Sequence, residues 1–272
     1  MARALVLSRD PMIPATTHKV LARDYVAATV GADILATQYQ VVASFEGLDL
    51  AALPDAVVLK ASHGSGMTCL ITGGRGQEAP VLEVFDDRSV VFDAPTSAVD
   101  PEVLKTTIDR WLMTDYSEQF GEWNYRGLTR LVIAEEYLGA ISDGLIELSC
   151  YCVRGRVLYA VLCLPGPSKL FVDRTFRRLD IVDWTGRSTP TTPVRTPNEF
   201  DRAVTMAESL SAPFEALRVD LYLLDDRIVF GELTHCTMAG LPRYHPASFT
   251  EVFGAFWRGE TTIPAEYYAP GE

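Results

Sequence analysis

Two short apolar strands in this chain carry charges on the face where a core would be expected. Arg218-Val-Asp-Leu-Tyr222 and Phe230-Gly-Glu-Leu-Thr234 flank the turn Leu224-Asp-Asp-Arg227 and read as a tight hairpin. Side chains alternate along a strand, so Arg218, Asp220 and Glu232 project together from one face. Converging charges in an apolar hairpin are costly unless they are paired or bound to metal. A magnesium ion carrying a nucleotide phosphate meets that need, because Mg²⁺ binds through one or two carboxylates plus substrate phosphates. In this reading Asp220 and Glu232 give the carboxylates and Arg218 a fixed positive charge.

The rest of the chain limits what such a site can serve. At 272 residues it can bury a full core, as one large domain or two compact lobes. Apolar residues make up 48%, which argues against disorder. The net charge of −12 argues against nucleic acid or an anionic membrane surface as partner, so phosphate binding requires a local basic pocket. No apolar run reaches membrane-span length and the N-terminus has no signal-peptide pattern, so the expected location is cytoplasmic. The five cysteines form no Cys-x-x-Cys pair, and reduced thiols are expected.

Along the chain, the residues through about Pro14 are too few for a domain. A helix capped by Thr17 is predicted to follow, with Val20, Leu21, Tyr25 and Val26 on its apolar face. Leu53 to Lys60 reads as a turn feeding a strand, and Thr68 to Ile71 as its partner. Val81 to Phe85 and Val90 to Phe92 read as a second hairpin. Asp100-Pro-Glu opens a helix, with Val103, Leu104, Ile108, Trp111 and Leu112 at helical spacing. Leu131 to Leu138 reads as a strand, and Leu145 to Val153 with Arg156 to Leu164 as a hairpin turning at Arg154-Gly155. Thr196-Pro-Asn-Glu199 is a capping box for a helix through Leu210, and a short helix is predicted near Phe249 to Trp257. The order gives an α+β protein of two lobes, each an antiparallel sheet with helices on one side, and the crevice between lobes is the default ligand site.

Lys60 ends its strand and leads into the loop His63-Gly64-Ser65-Gly66. Glycines let backbone N–H groups approach phosphate oxygens, and a strand lysine adds a point charge. Alone, such a loop is more often a plain flexible turn; the charged hairpin is what favours phosphate. Lys19 reads as a surface lysine or a second phosphate contact. Glu135 and Glu136, at a strand end, could face solvent or accept hydrogen bonds from an adenine amino group or ribose hydroxyls.

Taken together, Lys60 with its His-Gly-Ser-Gly loop, Glu122-Trp-Asn-Tyr125, Ile133-Ala-Glu-Glu-Tyr-Leu138, Asp173-Arg-Thr-Phe176 and the Arg218 hairpin resemble the TupA-like branch of the ATP-grasp superfamily, in order from about Thr17 to Pro246. The resemblance implies an ATP-grasp fold, with residues 1–16 a short N-terminal segment, a glycine-rich-loop lobe at about 50–130 and a metal-binding lobe at about 131–272. It implies that Lys60, Lys19 and residues His63 to Gly66 contact ATP phosphates, and that Glu135, Glu136, Tyr137 and Leu138 form the adenine-binding linker. It further implies that Asp220 and Glu232 hold Mg²⁺ and that Arg218 flanks the reacting phosphoryl group. Three departures stand out. Thr234 takes the place of an asparagine metal ligand. Glu147-Leu-Ser149 replaces an Asp-Tyr-Lys that would put a lysine at Ser149. The lobe that precedes the grasp in relatives is nearly absent.

The activity so implied is carboxylate–amine ligation through an acyl phosphate, using ATP and Mg²⁺, with amino-acid or peptide substrates. Arg174, Ser149, His235 and Arg243 are the candidate substrate contacts, an arginine fork being suited to a carboxylate. Ligation to a cell-envelope polymer, a small-molecule kinase and a non-catalytic ATP-binding module are the competing expectations. A homodimer, or a partner chain supplying the missing lobe, is the expected assembly.

Overall fold

A computed structural model of the chain describes residues 9–74, 89–140, 145–164, 168–183, 190, 192–224, 226–237, 243–260 and 262–270. Among the described residues two short helices come first, α1 (Met12–Thr17) and α2 (Leu21–Val30). The predicted single helix from Thr17 is thus interrupted: Thr17 does not cap a helix start, and its hydroxyl donates to the Ile13 carbonyl 2.8 Å away, at the end of α1. Lys19 falls in the intervening turn. The described residues divide into two compact units, one lying within 11–24 and 36–140 and the other within 9–10, 25–35 and 145–270.

The first unit is built on a sheet ordered β1 (Gln38–Val42), β5 (Val132–Glu136), β2 (Ala56–Ala61), β3 (Thr68–Thr72), β4 (Val90–Phe92). Its pairs are antiparallel except β3 with β4, which run parallel. Residues 81–88 of the predicted second hairpin lie outside the described residues. Behind the sheet is α3 (Pro101–Met113), begun as expected by Asp100, whose carboxylate accepts from the Glu102 and Val103 N–H groups at 2.9 and 3.4 Å. Leu104, Ile108 and Trp111 of α3 pack on Val57, Leu59 and Ala61 of β2 and on Val132 and Ala134 of β5. Strand alternation then sends Val58, Lys60, Ile133 and Glu135 to the opposite face. A short helix, α4 (Tyr116–Phe120), follows α3.

The second unit holds a fully antiparallel sheet ordered β11 (Ile228–Thr234), β10 (Ala216–Leu223), β6 (Ile146–Val153), β7 (Arg156–Cys163), β8 (Lys169–Val172). β6 and β7 turn at Arg154 and Gly155, with φ of +48° and +76°, the left-handed pair that a two-residue hairpin turn needs. Helix α5 (Phe200–Ser211) contacts β10, β6 and β7. It begins at Phe200, later than a capping box at Thr196 predicts, and Glu199 makes no side-chain cap, so the capping box does not form. Leu217, Val219 and Leu221 are buried on the parity opposite to Arg218 and Asp220. A two-stranded ribbon, β9 (Val182–Asp183) with β12 (Tyr244–His245), and α6 (Phe249–Trp257) complete the unit. Among the described residues no helix is long and apolar enough to cross a membrane.

Candidate functional site

In the first unit, Lys60 stands beside Ile133 in register, and its ammonium meets the Glu135 carboxylate, the two side chains being 21% and 15% exposed. This pairs a phosphate candidate with an adenine-linker candidate. Glu136 is differently engaged: its carboxylate accepts from the Thr37 N–H at 3.2 Å and its own N–H donates to the Thr37 carbonyl at 2.9 Å. Tyr137 is half-buried and Leu138 buried, at the start of a 3₁₀ turn.

Lys19 clamps the loop after β2 at two points. Its backbone N–H donates to the Ser62 carbonyl at 3.1 Å and its ammonium to the Gly64 carbonyl at 2.6 Å. Ser62 and His18 both meet the Thr129 carbonyl, at 3.1 and 2.9 Å, fixing the same loop to the lead-in of β5. His63 is buried, with Nε2 against the Trp111 carbonyl at 3.0 Å. Burial holds the His63 imidazole below its ordinary range, partly offset by that bond and reinforced by the Arg130 and Lys19 cations. Ser65 alone of His63 to Gly66 is exposed. Gly66 has φ +75° and Gly64 has no room for a side chain, since a Cβ there would lie 2.1 Å from Met67 Cε and 2.9 Å from the Tyr116 ring. Gly64→Ala is therefore expected to cost about 1–3 kcal/mol in urea unfolding, as overpacking does; a cost near zero would mean that the loop is loose.

The second unit brings the charged hairpin together. Asp220 lies opposite Glu232, and Arg218 opposite Thr234, on β10 and β11. The Arg218 Nη2 donates to Asp220 Oδ2 at 2.6 Å and to Glu232 Oε1 at 3.0 Å, and its Nε reaches both Asp220 oxygens at 2.9 and 3.0 Å. The Thr234 hydroxyl donates to Glu232 Oε1 at 3.0 Å. The bulge beside this cluster needs Gly231, where a Cβ would sit 2.9 Å from the Asp220 carbonyl oxygen. Burial pushes the Asp220 carboxyl above the ordinary carboxylate range, against the opposing pull of Arg218 and a bond from Ser149, its neighbour on β6. Burial lowers the Arg218 guanidinium, but Asp220, Tyr151 and Glu232 more than offset this and hold it well above its usual value.

Two opposed carboxylates and an adjacent hydroxyl form a hard-oxygen donor set. Among the described residues no group of three or more His, Cys, Asp or Glu could enclose a metal unaided. The oxygen donor set of Asp220, Glu232 and Thr234 suits Mg²⁺, which takes few protein ligands and completes its shell with phosphate oxygens and water.

The expected substrate contacts scatter. Ser149 is buried beside Asp220. Arg174 makes a two-pronged pair with Glu208 at 3.1 and 3.0 Å, and Arg243 is exposed. His235 is buried edge-on to the Phe214 ring, with centroids 4.8 Å apart. Burial pulls it down to about 4, partly countered by Asp10. The folded chain therefore holds His235 neutral where the unfolded chain takes a proton, so stability falls as pH drops from about 6.5 to 4, by on the order of 3 kcal/mol. Urea unfolding across that range checks this, and a His235→Phe variant is expected to lose that part of the slope.

Sequence reasoning missed Lys169 and Asp183, whose side chains pair at 3.1 Å, only 10% and 18% exposed. The apolar run Leu170-Phe-Val172 after Lys169 was the available signal. It also left Asp173 without a role: its Oδ1 accepts from the Thr175 N–H and hydroxyl and the Arg177 N–H, and its Oδ2 from the Tyr268 hydroxyl, so it organises the turn after β8.

A lysine-bearing strand and loop in one α+β unit, and an Arg–Asp–Glu hairpin in another, are the parts of an ATP-grasp protein, and the sequence agrees with that architecture. Residues 4–258 match the TupA-like ATP-grasp family, and the chain belongs to it. No curated protein matches the sequence significantly. Similar solved structures include D-alanine–D-alanine ligase from Bacillus anthracis in complex with ATP, at 12% identity and TM-score 0.42, covering 92% of this chain and 70% of that one. The D-alanine–D-alanine ligase from Helicobacter pylori gives 10% identity and TM-score 0.46, covering 92% of this chain and 60% of that one. The ATP-grasp ligase PsnB, complexed with precursor peptide PsnA2 and AMPPNP, gives 10% identity and TM-score 0.39, over 82% of this chain and 50% of that one. The chain thus spans between half and 70% of the length of these structures.

Proposed function

We propose that this chain is an ATP-dependent carboxylate–amine ligase that joins amino acids into a dipeptide or similar amide. The observation that carries the reading is the Arg218–Asp220–Glu232 cluster, three charges held on one sheet face by bonds of 2.6 to 3.0 Å from Arg218. Asp220 and Glu232, with Thr234 beside them, are the residues that would hold Mg²⁺, which when bound neutralises phosphate oxygens. Arg218 presents a rigid planar fork suited to the negative charge that builds on a transferring phosphoryl group. Lys60 and Lys19 are the cations offered to the remaining phosphates, and Glu135 orients Lys60 through their contact. His63 holds the loop in place from beneath.

In the proposed reaction the γ-phosphoryl group of ATP passes to a substrate carboxylate, giving an acyl phosphate and ADP. A neutral amine then attacks the acyl carbon, the bond to phosphate breaks, and the amide, inorganic phosphate and a proton are released. Such chemistry asks little covalent help of the protein; positioning and charge stabilisation carry it.

The test is Mg²⁺-dependent phosphate release from ATP across all pairs of proteinogenic amino acids, with an Asp220→Ala, Glu232→Ala double variant as control. Release confined to particular pairs and absent from the control supports the ligase. ADP formed with a single hydroxylated compound, without an amine and without free phosphate because the phosphoryl group stays on the hydroxyl, would replace it with a kinase. ATP binding without release from any pair would count against free amino acids as the substrates.

A further inference from the structure

The sheet of the second unit presents one continuous face on which the Arg218 cluster occupies only one side. Register places Asp220 beside Ser149, Ser149 beside Val161, and Val161 beside Phe171. Lys169 is two residues before Phe171 on the same strand and so shares this face. Asp220 and Phe171 are three strand spacings apart, about 14 Å between Cα atoms.

Above the far side of this face lies the β9–β12 ribbon, in which Asp183 and Tyr244 are register partners. The ribbon is fastened twice: the Tyr244 and Tyr159 hydroxyls are 2.6 Å apart, and the Lys169 ammonium donates to Asp183 Oδ2 at 3.1 Å. Tyr151 is the register neighbour of Arg218 on one flank and of Tyr159 on the other, and the Tyr159 hydroxyl meets that of Tyr244, the register partner of Asp183. The two ion pairs therefore border one neighbourhood, with a phenol between them.

A buried ion pair is an expensive way to fasten a ribbon, since well-packed apolar residues of similar volume often do as well or better. One positive and one negative group held side by side are, however, the complement of a zwitterion. We propose that Lys169 and Asp183 form the receptor for the main-chain end of the α-amino acid that supplies the amine, Lys169 taking its carboxylate and Asp183 its ammonium group until that group loses its proton for attack. The inference rests on the ligase reading for the same sheet face and deepens it by naming the class of one substrate and the residues that select it. The seated amino acid places one intermolecular ion pair at each of its ends, so both ends of the ligand contribute. Blocking either end weakens binding, and a compound lacking both is not recognised.

The test uses the full chain and a Lys169→Met, Asp183→Leu double variant, which removes both charges together and leaves neither buried alone. Each is titrated calorimetrically with the twenty proteinogenic amino acids in the presence of Mg²⁺ and a non-hydrolysable ATP analogue, and separately with the analogue alone. The amino acid that binds is then compared with its N-acetyl and carboxamide derivatives. Expected is binding by the native chain, about ten- to hundredfold weaker for either blocked derivative, the range for losing a hydrogen bond to a charged group. The double variant is expected to melt within a few degrees of the native chain, bind the analogue unchanged and lose the amino acid. Equal binding of blocked and free forms, or native affinity in the double variant, overturns the receptor. Should the double variant fail to fold, the blocked derivatives decide the matter on the native chain. Analogue binding with no amino-acid response overturns the receptor and leaves the ligase standing; an amino-acid response without analogue binding does the reverse.

Discussion

Replacing Arg218 by methionine is expected to reduce ATP-dependent phosphate release at least about 100-fold, the scale on which a preorganised electrostatic contact acts. It is also expected to destabilise the fold by about 3–5 kcal/mol, as breaking a buried ion pair does. Methionine restores most of the side chain's volume, so the deficit isolates charge from packing. Asp220 and Glu232 would remain opposite each other on neighbouring strands with no cation between them. Asp220 already sits above the ordinary carboxylate range because it is buried, and losing its main opposing charge pushes it higher still. A group whose folded pKa is raised adds stability at low pH and loses it as pH rises through that pKa, so the Arg218→Met deficit should be largest at neutral pH and shrink in acid. Arg218→Lys keeps a charge but not the planar fork that contacts Asp220 through two nitrogens. That variant should keep most of the stability and lose much of the rate. Phosphate release, with urea unfolding at several pH values, reads all three effects. Release by Arg218→Met within a few-fold of native would remove Arg218 from the reaction.

This hairpin was also the most legible part of the chain, and the reason is local. Period-two alternation and a polar turn set its register from residues close in sequence, as they did for the turn at Arg154-Gly155, while Asp100 and Pro101 marked the start of α3 by capping chemistry alone. What escaped depended on distant partners. Thr17 looked like a helix start, yet the chain breaks there because His18 reaches the Thr129 carbonyl and Lys19 the loop at Ser62 and Gly64. The polar strand Gln38-Tyr-Gln-Val-Val42 carries no clear alternation and is defined by pairing with β5. The parallel pairing of β4 with β3 has no signature in so short a strand. Thr196 carried a capping box in its residue types, but α5 begins only at Phe200. Within the candidate site, residue types suggested charges and their chemistry but not their engagements. His63 anchors its loop to the end of α3, Arg174 pairs with Glu208, and Lys169 finds Asp183 across a stretch of chain with no periodic signal.

The aromatic layer beneath the β9–β12 ribbon gives the largest expected loss of stability from a single uncharged change. Tyr159 is fully buried and central to it. Its ring stacks on Tyr151 at 4.5 Å and 14°, and meets Tyr244, Phe249 and Phe253 edge-on at 5.7 to 6.1 Å. Tyr159→Ala removes the shared partner of all four, and these neighbours, anchored on β6, β12 and α6, do not close the space together. About 3–5 kcal/mol is expected in urea unfolding, as for other large-to-small aromatic changes in cores. Tyr159→Phe keeps the rings and removes only the hydroxyl facing Tyr244, leaving a polar atom without its partner, at about 1–3 kcal/mol. The difference between the variants measures ring packing, and the smaller one measures the bond that holds the ribbon. Because Tyr151 rests on Tyr159 and is the β6 neighbour of Arg218, the alanine variant should also slow phosphate release, whereas the phenylalanine variant should leave it nearly unchanged. A loss below about 1 kcal/mol for Tyr159→Ala would mean that the layer repacks, and support for the wall of the site would then have to come from the Lys169–Asp183 pair.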